Sequence, residues 1–136
     1  MLNETLVSRF YAEVWNAWDA DAARELLHPE LRFRGSLGRR TQGIAEFLGY
    51  VADVRVAFPD FHNHVEDLVT DGPSAVARLS YSGTHRGTVL GAPPTGNRVE
   101  YDGIAWFTCS AGRIVDGFVL GDIEALRAQL VAAPTK

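Results

Sequence analysis

The chain has 136 residues, 46% of them hydrophobic and 22% charged, with a formal net charge of −4. This length suits one domain over residues 1–136 with a sizeable core. The acidic balance excludes the basic footprint of a nucleic-acid binder, and no apolar run reaches the length of a membrane span. Met1-Leu-Asn-Glu-Thr lacks the basic and apolar regions of a secretory signal, and the single Cys109 cannot form an intrachain disulfide. A cytoplasmic setting is therefore expected.

Asn3 is placed to cap a first helix, in which Leu6, Phe10 and Val14 recur at helical spacing with Val7, Tyr11 and Trp18 beside them. Asp19 is placed to cap a second helix, Ala20 to Leu27, which His28-Pro29 stops. Leu31-Arg-Phe-Arg-Gly alternates and predicts a short strand containing Phe33. A third helix starts at Thr41, buries Ile44, Phe47, Leu48, Val51, Val54 and Phe58, and ends at Pro59-Asp60.

The period then changes to two. Strands are predicted near 61–70, 74–86, 98–109 and 113–121, with turns at Asp71-Gly-Pro and Ser110-Ala-Gly and a loop containing Pro93-Pro94. A terminal helix from Ile123 to Val131 buries Leu126 and Leu130, and Ala132 to Lys136 reads as a frayed tail. Helices first and strands after argue for an α+β fold, a curved antiparallel sheet with helices on one face. Gly83, Gly87 and Gly103 interrupt strand patterns, where bulges or sharp bends are expected.

Asp122 carries two readings. It precedes an apolar helix, which suits an N-cap. It also shares strand parity with Ile114, Asp116, Phe118 and Leu120 if no bulge intervenes. On that parity its carboxylate would enter an apolar cavity lined by Phe118 and Leu120. Burial would raise its pKa and suit it to moving a carbon-bound proton. His85 could steady an oxyanion or relay a proton, or it could simply be held by the loop backbone. His62, His64 and Glu66 alternate on one strand, but ligands spread along a flat line make a poor metal site, so a pocket rim is the better reading and no metal is expected. Trp106 and Thr108 share one face, and Thr108 could offer a hydroxyl to a bound polyol or quinone. Cys109 reads as a buried small hydrophobe. The glycines at 83, 87, 91 and 96 are not followed by Gly-Lys-Ser/Thr and form no phosphate loop. Trp106 and Thr108 alternate with Phe107 and Cys109, leaving apolar side chains on both faces of a strand. A homodimer built on the outer sheet face is therefore expected.

Several segments carry a resemblance. They are Phe10-Tyr-Ala-Glu-Val-Trp-Asn-Ala-Trp-Asp19, Phe58-Pro-Asp-Phe61, Gly83-Thr-His-Arg-Gly87, Gly91-Ala-Pro-Pro-Thr-Gly96 and Gly112-Arg-Ile-Val115. Together they span nearly the whole chain, which resembles the SnoaL-like polyketide cyclase family of the NTF2-like superfamily. The resemblance implies a cone-shaped pocket and a cofactor-independent enzyme of antibiotic biosynthesis. Its reaction would be an intramolecular aldol condensation on a polyketide-type small molecule. Asp122, four positions after the aromatic Phe118, would be the general acid/base, with His85 assisting. Phe33, His62, Trp106, Thr108, Phe118 and Leu120 would bind substrate. Many relatives have Gly-Ile-Asp where this chain has Gly103-Ile104-Ala105. That difference keeps open a hydroxylation-type tailoring enzyme; a second alternative is a non-catalytic ligand-binding domain in which Asp122 is only a cap.

Overall fold

Helix α1 (Asn3–Arg9) opens the computed structural model, which describes residues 1–131. The predicted tail, 132–136, lies outside the described residues. Asn3 is the first residue of α1 rather than its cap, and its side-chain amide donates to the Gly72 carbonyl at 3.1 Å. The helix then widens into a π-helical segment, Phe10–Trp15, closed by Asn16 N–H donating to the Tyr11 carbonyl at 2.9 Å. The wider turn lets Phe10, Tyr11, Val14 and Trp15 all face the core. Trp15, not Trp18, is the buried tryptophan. Trp18 adopts a positive φ of 61° and stays exposed, stacked against Arg55.

Asp19 caps helix α2 (Ala20–Leu26) as predicted, accepting from Ala22 N–H at 3.0 Å. No loop follows. The chain turns directly into strand β1 (Leu27–Arg34), so His28-Pro29 lies within the strand. Regular pairing is interrupted there, between Leu27 and Arg32, which accommodates a proline without an N–H. The predicted helix start at Thr41 is instead a short strand, β2 (Arg40–Gln42). Gly43, at φ 82°, turns the chain into helix α3 (Ile44–Ala57). Phe47, Val51, Val54 and Phe58 are buried as expected; Tyr50 joins them, while Ile44 and Leu48 are only partly buried.

Strands β3 (His62–Asp71), β4 (Ser74–Thr84), β5 (Arg98–Ser110) and β6 (Arg113–Gly121) follow, with helix α4 (Ile123–Val131) last. The sheet order is β2-β1-β6-β5-β4-β3. All neighbours are antiparallel except β1 and β6, which run parallel. In β4 and β5 the odd-numbered residues face the helices and the even-numbered ones face away. The inner face carries Leu79, Ala105 and Phe107 in the same core as Leu6 and Phe10, with the Phe107 ring edge-on to Phe10 at 5.5 Å. Fully burying each large side chain contributes roughly 1.5–3 kcal/mol. Among the described residues, no helix is long and apolar enough to cross a membrane.

The bulges are not at the predicted glycines. Gly83 pairs in register with Val99, Gly103 pairs in register with Leu79, and Gly87 lies beyond the end of β4. Register shifts occur instead between Val65 and Asp67 and in β6, where Thr108 pairs Asp116 but Cys109 pairs Ile114.

Candidate functional site

The β6 shift decides where the predicted site residues go. Skipping Val115 reverses the parity after Ile114. Ile114 points into the core, while Asp116, Phe118 and Leu120 point to the outer face. Two cross-strand pairs result, Ile104↔Leu120 and Trp106↔Phe118. Their side chains form an exposed apolar stripe, with Trp106 55% and Leu120 56% accessible. The structure therefore does bring Trp106, Phe118, Leu120 and Asp122 onto one face, with Thr108 at its end opposite Asp116. It is the outer face of the sheet, not the expected inner cavity.

Asp122 is exposed at the end of β6. Its N–H extends the ladder to the Asp102 carbonyl at 2.8 Å, and Oδ1 accepts from Ala125 N–H at 3.1 Å. The carboxylate is thus the N-cap of α4. It also borders two adjoining outer grooves of ≈520 and ≈530 Å³, which share Glu66, Ser80 and Asp102. Ser80 Oγ donates to Glu66 Oε1 at 2.7 Å and lies 3.4 Å from Asp102 Oδ1. His64 Nε2 is 3.8 Å from Glu66 Oε2. Arg78, Ile104 and Leu120 complete one groove, and His64, Ser82, Glu100 and Ala125 line the other. His62 is exposed on the same strand as His64.

The inner cone is different. Tyr11, Trp15, Phe33, Ser36, Tyr50, Phe61, Asn63 and Tyr81 converge there with Val54 and Val119. Of the predicted substrate contacts only Phe33 lines it. The remaining cavity is ≈10 Å³, about the volume that a single water requires. Tyr101 and Ser36 close it with a 2.9 Å hydroxyl–hydroxyl bond. Burial pushes the phenols of Tyr11, Tyr50, Tyr81 and Tyr101 above the ordinary tyrosine range, so they stay protonated donors. Among the described residues, no carboxylate or imidazole lines this cavity. Ala105 is fully buried on the inner face. Sequence reasoning missed the hydroxyl set. The available signal was the odd-numbered parity of Tyr81 and Tyr101.

His85 belongs to neither cavity. Its ring is 0% accessible, packed beside Phe58 at 5.9 Å. Nδ1 lies 2.9 Å from Thr95 Oγ1 and 3.3 Å from Thr95 N. Its N–H donates to the Asn97 carbonyl, and its own carbonyl accepts from Gly96 N–H, both at 2.8 Å. This is the loop-staple arrangement, holding Pro93-Pro94-Thr95-Gly96 against β4. Cys109 is buried as expected, and burial raises its thiol pKa.

A family model described as SnoaL-like polyketide cyclase matches residues 5–130. Solved structures show the same architecture. A candidate SnoaL-like polyketide cyclase of Jannaschia sp. CCS1 is 26% identical, with a TM-score of 0.87 over 97% of this chain and 93% of that one. TsrD of Streptomyces laurentii is 28% identical, with a TM-score of 0.84 over 96% and 95%. IdmH of Streptomyces antibioticus, described as a candidate polyketide cyclase, is 27% identical, with a TM-score of 0.84 over 97% and 100%. No curated protein matched the sequence.

Proposed function

This chain belongs to the SnoaL-like polyketide cyclase family, and we propose that it closes a ring in a polyketide-type carbonyl substrate by intramolecular aldol chemistry, without a cofactor and as a homodimer in the cytoplasm. The supporting observation is the position of Asp122 beside grooves of ≈520 and ≈530 Å³ floored in part by Ile104 and Leu120. Such volumes lie within the 300–1,000 Å³ usual for ligand sites, whereas ≈10 Å³ in the inner cone does not. Size and acid/base capacity favour the same place.

In this reading one Asp122 oxygen caps α4 and the other faces the groove. The carboxylate takes the acidic proton between two substrate carbonyls. The resulting enolate carbon attacks a second carbonyl of the same molecule, forming the C–C bond. That carbonyl oxygen becomes an alkoxide and receives a proton back from Asp122. The groove's contribution is to fold the substrate so that carbon and carbonyl meet. Arg78 is a nearby group able to donate to the developing oxyanion, since Ser80 already gives its one hydroxyl proton to Glu66.

The test is solvent deuterium exchange at the activated carbon of a polycyclic 1,3-dicarbonyl substrate. The native protein should catalyse exchange and ring closure, and Asp122→Asn should lose both. Native rates in that variant would sink the acid/base assignment. A second reading has its own support in the phenol and hydroxyl groups around the inner cone, which suit a carbonyl ligand that displaces the packed rings. Under it, Tyr81→Phe rather than Asp122→Asn would weaken ligand binding.

A further inference from the structure

Sheet register places one row of side chains across the outer face. Arg40 of β2 pairs with Arg34 of β1, Arg34 pairs with Phe118 of β6, and Phe118 pairs with Trp106 of β5. The row therefore runs from two guanidinium groups to two exposed aromatic rings. Like charges directly opposite one another destabilise a strand pair. Here they also share a ring: Arg34 and Arg40 lie 5.2 and 5.9 Å from the centre of Phe118. Among the described residues, neither guanidinium has a carboxylate within ion-pairing distance, whereas Arg32 and Arg39 beside them pair with Asp116 and Asp53. The chain carries a net charge of −4, so this unneutralised pair does not reflect a shortage of carboxylates.

The pair stands at a groove of ≈360 Å³ on the β1/β2 flank, a volume within the range of ligand sites. The carboxylates that line this groove are already engaged. Asp116 faces Arg32 at 3.4 Å, and Glu46 Oε1 accepts from the Gln42 N–H at 3.0 Å. Arg34 is oriented by its own strand neighbour, since Nη1 donates to the Val119 carbonyl. A guanidinium carries five N–H donors in a planar fork, so donors remain on both side chains.

We propose that this groove binds a planar organic carboxylate. The carboxylate accepts from Arg34 and Arg40, and the ring system lies along Phe118 toward Trp106. The anion turns a repulsive cross-strand pair into a two-armed, charge-assisted clamp. Stacking on Phe118 and Trp106 recognises the planar body. With neighbouring strands ~4.8 Å apart, both rings lie within the reach of a fused two-ring ligand held at Arg34. A bare phosphate would use only the basic half of the row, and a neutral aromatic only the other half. The groove shares no described lining residue with the two grooves beside Asp122, so this ligand is additional to the reaction proposed above and does not depend on it.

Calorimetric titration of the native chain with naphthoate tests this without any turnover. Naphthoate should bind, and the isosteric but neutral naphthamide should bind at least tenfold more weakly, the scale of a charge-assisted hydrogen bond. Inorganic phosphate should also be at least tenfold weaker, because it leaves the rings unused. Arg40 is exposed, so Arg40→Gln should fold as the native chain does and lose at least tenfold in naphthoate affinity. Arg39→Gln removes the same charge from a pair outside the groove and should bind as the native chain does. Naphthoate should also quench tryptophan emission in the native chain, and Trp106→Phe should abolish that quenching, since Trp15 is buried in the core and Trp18 lies against Arg55. No binding of naphthoate, equal affinity for naphthamide or phosphate, or equal losses in Arg39→Gln and Arg40→Gln would overturn the proposal. Quenching that persists in Trp106→Phe would place the rings elsewhere and overturn it as well.

Discussion

The ring of Tyr81 lies against the bare Cα of Gly103: a Cβ at that position would come within 2.6 Å of Tyr81 Cε2. Tyr81 has nowhere to withdraw, since it stacks on Phe61 at 5.8 Å and packs on Tyr101 at 4.8 Å. Gly103→Ala should therefore cost about 1–3 kcal/mol by overpacking. Gly49, in the middle of α3, has nothing within 4 Å of an added Cβ. Gly49→Ala should stabilise by roughly 0.5–1 kcal/mol through helix propensity. Paired denaturant melts check both signs, and an unchanged midpoint for Gly103→Ala would show that the aromatic layer is looser than this geometry.

Asp122 can be tested for its two roles separately. Asn caps helices about as well as Asp, so Asp122→Asn should leave stability almost unchanged, whereas Asp122→Ala should lose about 1 kcal/mol. If the carboxylate is also the acid/base, turnover in the Asn variant should fall about a hundredfold or more. Thermal melts and turnover measured on the same two proteins separate capping from catalysis.

His85 should behave as a structural residue. His85→Ala empties a fully buried site and leaves Thr95 without its ring partner. A loss of about 2–3 kcal/mol is expected. Turnover well below the lowered melting temperature should stay near native, because the ring touches neither cavity. Abolished turnover in a well-folded His85→Ala protein would instead restore the proton-relay reading.

Asp60 should make stability fall in acid. Partial burial favours its neutral form. The N–H and hydroxyl of Thr84, which donate to it at 2.7 and 2.8 Å, outweigh that and hold its pKa below the usual aspartate range. A folded-state pKa below the unfolded value gives stability that is full above the unfolded pKa, about 4, and is lost as pH falls through the folded pKa. Asp60→Asn should flatten that part of the acid profile. Equal acid slopes for the native and variant proteins would show that the Thr84 clamp contributes nothing.

The α+β order, the terminal helix, the four long strands and the Asp19 cap were legible in the sequence because each depends on local period or turn chemistry. The Pro-Pro loop and the glycine motifs made the family legible as well. The tertiary structure decided which way the site residues face. Parity along Ile114–Asp122 predicted one common face, but the register shift at Val115 turned Phe118, Leu120 and Asp122 outward. A bulge depends on how β6 meets both β5 and a parallel β1, and no residue within β6 announces it. The same holds for Trp15 and Trp18: helical spacing alone treats the segment as an α-helix, and only the π-helical turn brings Trp15 inward. Strand β2 had no periodic signal in three residues and exists because β1 offered an edge. Alternation in the sequence thus fixed the two faces of each strand, while long-range pairing assigned one face to the core and the other to solvent.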